Sequence, residues 1–187
     1  MDLDQAGAVA AEYAERAGVP APKVRPGRVP QWSAGGAILR LRLRKGTVVV
    51  DSRFLELDEG EQEAGLAYLV SAVASVRRYN RNAMLSLVPL LAGAVLIEMS
   101  LLGAPRWIAE AAFWSYLLGW VLLLGFWYRR CWYEADRRLV AVFGWTAMDT
   151  VLEVERREPA RPPFYLRAVP TPDQRTARLE RISRTPA

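Results

Sequence analysis

Two long apolar blocks limit what this chain can become. Residues 83–104 are 22 positions with a single charge, Glu98, and residues 111–128 are 18 positions with none. At a helical rise of about 1.5 Å per residue, each block matches the hydrocarbon thickness of a bilayer. The alternative, a pair of core helices in a soluble domain, needs other elements packed around both on every side. A chain of 187 residues leaves too few to supply that cover. The blocks are expected to form a membrane hairpin, dividing the chain into an N-terminal half (1–82), the hairpin (83–128) and a C-terminal half (129–187).

The flanks orient the hairpin. Arg77, Arg78 and Arg81 precede the first block, and Arg129, Arg130, Arg137 and Arg138 follow the second. The short connection offers only Arg106, with Glu110 close by. By the positive-inside rule both termini are cytoplasmic and the connection faces outward from the cell membrane. Trp107, Trp114, Trp127, Tyr128 and Trp132 stand where interfacial aromatic belts gather. Glu98 is a functional candidate as an ionisable group inside a span. Its place near the outer end of a span that also holds Pro89 favours the simpler reading, a side chain that reaches the interface.

Composition removes several chemistries. The chain has no histidine, which excludes Ser-His-Asp and Cys-His catalysis and every histidine-based zinc site. Cys131 is the only cysteine, so no internal disulfide forms. The opening MDLDQAGAVAAEYAERAG lacks a basic region followed by an apolar run and does not read as a signal peptide. The net charge of +5 comes without an arginine–aromatic surface motif or a nucleic-acid fold signature. Much of it lies beside the apolar blocks, where anionic headgroups and topology account for it, so no nucleic-acid partner is expected.

Along the chain, residues 4–17 have the spacing of an amphipathic helix, with Ala8, Ala11, Ala14 and Val19 on one side and Gly18 at its end. Pro20, Pro22, Pro26 and Pro30 then exclude a helix and predict an extended connector. Residues 37–44 alternate, with Ile38, Leu39, Leu41 and Leu43 set against Arg40, Arg42 and Arg44. With a turn at Lys45-Gly46 and a second strand over 47–50, this predicts a β-hairpin whose basic face is solvated. Asp58 and Glu61 form a capping box that opens a helix through GLAYLVSAVASVRR. After the second block, YEADRRLVAVFG continues as a helix, residues 150–156 fit a helix or a strand, 158–163 read as a linker, and 171–182 as a short charged helix.

This order of segments resembles the HtpX and CAAX-prenyl-protease family of membrane zinc metallopeptidases (peptidase family M forty-eight). AERAGVPAPKV is similar to that family's lead-in, and GTVVVDSRFLELDEGEQEAGLAYL to its passage from strand to active-site helix. RRCWYEADRRLVAVFG resembles the helix of the third metal ligand, and VPTPDQRTARLERI the closing histidine-proline motif with its arginine. The resemblance covers the chain from about residue 14 to 182. It implies an α+β membrane protein, a mainly helical zincin-like scaffold with a small β-hairpin or sheet and a two-helix transmembrane hairpin.

The family's chemistry needs H-E-x-x-H on a helix, two imidazoles on one face to bind zinc and a glutamate to activate the bound water. Carried onto this chain, the two histidines fall at Tyr68 and Ala72, the glutamate at Leu69, the third ligand at Trp132 and the closing histidine at Val169. The orienting aspartate is retained as Asp136. The resemblance therefore implies a degenerate member, with Tyr68 and Trp132 filling the metal pocket and Asp136 paired with an arginine or with Tyr68. Neither a metal nor another cofactor is expected.

The function expected on these grounds is that of a pseudoprotease, a membrane-bound scaffold or regulator that holds a protein or peptide partner without cutting it. Its peptide-binding edge would be the hairpin residues Ile38, Leu39, Leu41, Leu43, Val48 and Val50. Two alternatives stay open. One is a structural membrane subunit acting through its helical hairpin, where Gly93, Gly119 and Gly125 allow close helix approach. The other is an active metallopeptidase with a non-standard site built from Glu61, Glu63, Glu134 and Asp136.

Overall fold

The computed structural model describes residues 1–31, 33–42, 45–103, 105–158 and 169–184. The order of elements is α1 (Leu3–Arg16), β1 (Lys23–Pro26), a 3-10 turn (Ala34–Gly36), β2 (Ala37–Arg42), β3 (Lys45–Val50), α2 (Ser52–Glu56), α3 (Glu59–Ser100), α4 (Arg106–Phe143), α5 (Trp145–Arg157) and α6 (Pro172–Arg184). The fold is mainly helical with one three-stranded sheet, ordered β1-β3-β2.

α3 begins as its sequence predicts. Asp58 accepts a hydrogen bond from the Glu61 amide, and the Glu61 carboxylate accepts one from the Asp58 amide. It then runs for 42 residues without a break, about 63 Å at the usual rise, and α4 runs for 38, about 57 Å. The expected divisions at 82/83 and 128/129 thus both fall inside a helix. Both helices are long and apolar enough to cross a membrane, with windows of mean hydropathy 1.7 and 1.5. Only 6% of the first window and none of the second is buried by the protein itself. That coverage is the opposite of what a core helix in a soluble domain requires.

The lower half of α3 lies between two cores. On one side Leu66 and Val70 pack with Ala6, Ala10 and Ala14 of α1, Val48 and Val50 of β3, and Phe54 of α2. On the other, Ala64 and Ala67 meet Leu139 of α4, Met148, Val151 and Leu152 of α5, and Leu179 of α6. The alanines let neighbouring backbones approach closely. The α1 face differs from the expected one: Ala8 and Ala11 are exposed, and the buried stripe is Ala6, Ala10 and Ala14. Leu3, Tyr13 and Ala17 continue the buried stripe, whereas Asp4, Glu12 and Glu15 flank Ala8 and Ala11.

The expected extended connector contains a strand. β1 pairs in parallel with β3, with Val24 opposite Val48. β2 pairs antiparallel with β3, with Leu39 opposite Val48, so the hairpin forms and β2 is an edge strand. Lys45 and Gly46 belong to β3 rather than to the turn, and Leu43 and Arg44 lie outside the described residues. The chain enters β2 through Gly36, whose φ of 62° is left-handed and whose missing Cβ leaves room for Asp51 and the Phe54 amide. Residues 145–157 form a helix, which settles the alternative left open by the sequence. The linker positions 159–163 lie outside the described residues.

Candidate functional site

Three separate stretches converge below the apolar helices. The lower half of α3 supplies Tyr68, Leu69 and Ala72. Trp132 and Asp136, four residues apart on α4, share one face of that helix. The third contribution is α6, whose start is defined by Thr171 and Gln174. The Gln174 amide donates to the Thr171 hydroxyl, and the Thr171 amide donates to the Gln174 side-chain oxygen, each at 3.3 Å. Pro172 then stands at the first helical position, where its missing N–H costs nothing. This cap aims Arg175 into the protein.

Arg175 is the centre of the arrangement. Its Nη2 donates to Asp136 Oδ1 at 2.6 Å, and its Nε donates to both Asp136 oxygens at 3.0 and 3.1 Å. Its Nη1 reaches both oxygens of Glu155, on α5, at 2.6 Å. Both members of the Arg175–Asp136 pair have no solvent exposure. The guanidinium carbon also stands 5.0 Å from the Tyr68 ring centre and 5.3 Å from that of Trp132, while the two rings lie 5.9 Å apart. One planar cation is therefore held by two carboxylates and two aromatic rings, a set of partners suited to arginine rather than lysine.

The electrostatics follow from this burial. Desolvation opposes charge on Arg175, but Tyr68, Glu155 and Asp136 outweigh it and raise its affinity for the proton. Burial pushes the Asp136 carboxyl upward while Arg175 pulls it back. The guanidinium cannot release its proton near neutral pH, so Arg175 stays cationic. Burial likewise holds the Tyr68 hydroxyl un-ionised well above its ordinary range, against the pull of Arg175.

Above this cluster lies a cavity of about 760 Å³. Tyr68, Leu69, Ala72, Trp132 and Val169 all line it, so the structure brings together five of the positions singled out in the sequence. Asp136 lies behind the wall through its bond to Arg175. Ile38 and Leu39 of β2 line it as well, and the cavity extends to Tyr79, Asn80 and Tyr128, where the apolar helices begin. Of the six expected edge residues, Val48 and Val50 belong instead to the central strand and are buried in the core. Ile38, Leu39 and Leu41 are on the edge strand, and Leu43 lies outside the described residues.

The four carboxylates of the alternative metal site are not brought together. Glu61 pairs with Arg157, Glu63 with the Tyr13 hydroxyl, Glu134 with Arg78 and Arg138, and Asp136 with Arg175. Among the described residues no three His, Cys, Asp or Glu side chains converge. Cys131 lies in the cavity wall, where burial pushes its thiol up to about 11 against a hydrogen bond with Ser75. Sequence reading missed Arg175 and Glu155 as members of the cluster, and assigned Trp132 to an interfacial belt as well as to the pocket. It faces Arg175. Glu98 is exposed two residues before the end of α3.

No protein-family model, curated protein or solved structure matches this chain.

Proposed function

We propose that this chain is a membrane-anchored pseudoprotease, a zincin-like metallopeptidase scaffold that binds an extended protein segment and does not cut it. The observation that carries the reading is the cavity between the β2 edge and the Tyr68–Trp132–Arg175 cluster. A sheet edge offers backbone groups to an incoming strand, and an apolar pocket beside it receives alternate side chains. The resemblance to the M-forty-eight metallopeptidases adds the rest. It assigns the metal-binding positions to Tyr68, Ala72 and Trp132, side chains unsuited to hold zinc. In their place Arg175 is a built-in cation between two carboxylates. α3 and α4 cross the bilayer, with both termini and the cavity on the cytoplasmic side, as the arginines at the base of the hairpin favour.

The test uses the full chain purified in detergent, with an active metallopeptidase of the resembled family as control. Elemental analysis is expected to find no stoichiometric zinc, and peptide hydrolysis to stay at background. Extended apolar peptides are expected to slow amide hydrogen exchange along β2. One zinc per chain together with peptide cleavage would overturn the reading. Absence of any protection on β2 by a panel of such peptides would remove its binding half.

A further inference from the structure

We infer that the base of the helical hairpin is a binding site for anionic phospholipid headgroups, formed by Arg78, Arg81, Arg129 and Arg130; this rests on the membrane reading proposed above. The packing of α3 against α4 sets the level of these side chains. The Tyr79 and Tyr128 rings meet at 5.5 Å, so the residues beside them on the two antiparallel helices share one height. From Arg78 to Arg81 the helix rises about 4.5 Å, and Arg129 and Arg130 lie within about 3 Å of Tyr128 along the axis. The four arginines thus occupy a belt thinner than about 10 Å, comparable with the headgroup layer on one face of a bilayer.

The belt is one-signed. The sequence has no carboxylate between Glu63 and Glu98, or between Glu110 and Glu134. Glu134, further along α4, is shared between Arg78 and Arg138 at 3.2 and 3.6 Å. Arg78 still has 58% of its side chain exposed, and Arg81, Arg129 and Arg130 are all exposed. Arg129 reaches the Gln174 side-chain oxygen, a neutral acceptor that leaves its charge unmatched. Lysine is absent from the belt. The arginine fork matches the paired oxygens of a phosphate, where lysine would act as a point charge. The surface directly above is the exposed apolar wall of Met84, Leu85, Val88, Leu122 and Phe126. Phosphate with an acyl chain attached meets both halves of this surface, and an acidic protein would meet only the lower one.

The experiment reconstitutes the full chain into phosphatidylcholine vesicles containing a minority of phosphatidylglycerol, re-extracts it gently, and measures the co-purified lipids by mass spectrometry. The wild-type chain is expected to retain phosphatidylglycerol at about fivefold its bulk share, the factor that one arginine near an anionic surface supplies. Combined R81Q, R129Q and R130Q should bring the ratio back to bulk. Combined K23Q, R25Q and R28Q removes the same charge from the sheet end and should leave the enrichment intact. No enrichment in the wild type, or enrichment equal in both variants, overturns the inference. Vesicle flotation separates the two readings: a chain that floats in either lipid but shows no preference defeats only the headgroup site. A chain that never floats defeats the membrane reading, and the site with it.

Discussion

Arg175 has no contact with water, yet it carries a full charge between Asp136 and Glu155. Such a group costs desolvation energy that only its partners offset, so removing one partner is more damaging than removing all of them. Arg175→Met is expected to destabilise the purified protein by about 3–5 kcal/mol, because two carboxylates are then left facing each other in the interior. Adding Asp136→Leu to that variant should recover part of the loss. Thermal denaturation in detergent checks both, and equal melting temperatures for wild type and R175M would show that the pair contributes nothing. Cys131 gives a second expectation at this scale. Its thiol is pushed from an ordinary value of 9.0 to about 11, so between these values an unfolded chain loses the proton that the folded one keeps. Stability from this group is complete below pH 9 and is lost as pH rises towards about 11. At pH 8 the folded thiol should alkylate about a hundredfold more slowly than a free cysteine, since its thiolate is that much scarcer. A rate that plateaus near pH 9 in the folded protein would contradict this. Of the cluster, the sequence singles out Tyr68, Trp132 and Asp136, and leaves the partner of Asp136 open between an arginine and Tyr68. It does not indicate which arginine, because Arg175 lies 39 residues away and only the cap at Thr171 aims it inward.

At the scale of elements, local signals are the ones a sequence exposes. The Asp58–Glu61 box, the alternation before β3 and the two apolar blocks are all carried by neighbouring residues: the box opens α3, the alternation gives β2 over Ala37–Arg42, and the blocks lie largely within α3 and α4. β1 escapes detection because its four residues, Lys23 to Pro26, are too short a run set among prolines, and its parallel partner lies more than twenty positions away. The continuity of α3 through Arg77, Arg78 and Arg81 is less visible, since the helix through GLAYLVSAVASVRR and the apolar block from residue 83 read as separate segments, whereas the continuation of α4 past residue 128 is legible in YEADRRLVAVFG. The contact between the two helices leads to a sharper expectation. The Tyr116 hydroxyl donates to the Pro89 carbonyl at 2.8 Å and occupies the space that a Cβ on Gly93 would need. Gly93→Leu should therefore force the hairpin apart and cost about 1–3 kcal/mol, as overpacking does elsewhere. Gly119 meets nothing within 4 Å, so Gly119→Ala should be neutral or gain up to about 1 kcal/mol of helix propensity. Melting curves of the two variants in the same detergent separate these outcomes. Comparable losses for both would mean that the Tyr116 contact does not hold the hairpin.

For the whole molecule, each long helix has two parts with different surroundings. Its upper part presents Leu85, Val88, Leu122 and Phe126 outward, and its lower part forms the walls of the cavity and of one core. The site is therefore built on rods that continue into the proposed membrane, which fixes the height of the cavity relative to the bilayer without any flexible linker. The same geometry commits the topology. If α3 and α4 both cross, the connection near Leu102 lies on one side, and α1, the sheet and α6 lie together on the other. Single cysteines placed in a Cys131→Ala background read this directly. Leu102, 81% exposed, replaced by Cys should react with a membrane-impermeant maleimide in intact cells. Ala177, exposed on α6, replaced by Cys should react only after lysis. Reaction at position 177 alone in intact cells would place the soluble part outside, and the arginine belt would then face the wrong leaflet, whereas reaction at both positions would mean that the apolar blocks do not cross. Protection at both until lysis would mean that the apolar blocks do not cross. Their exposed apolar surface would then need a protein partner to cover it, and the membrane anchoring proposed for the scaffold would fall with the arginine belt.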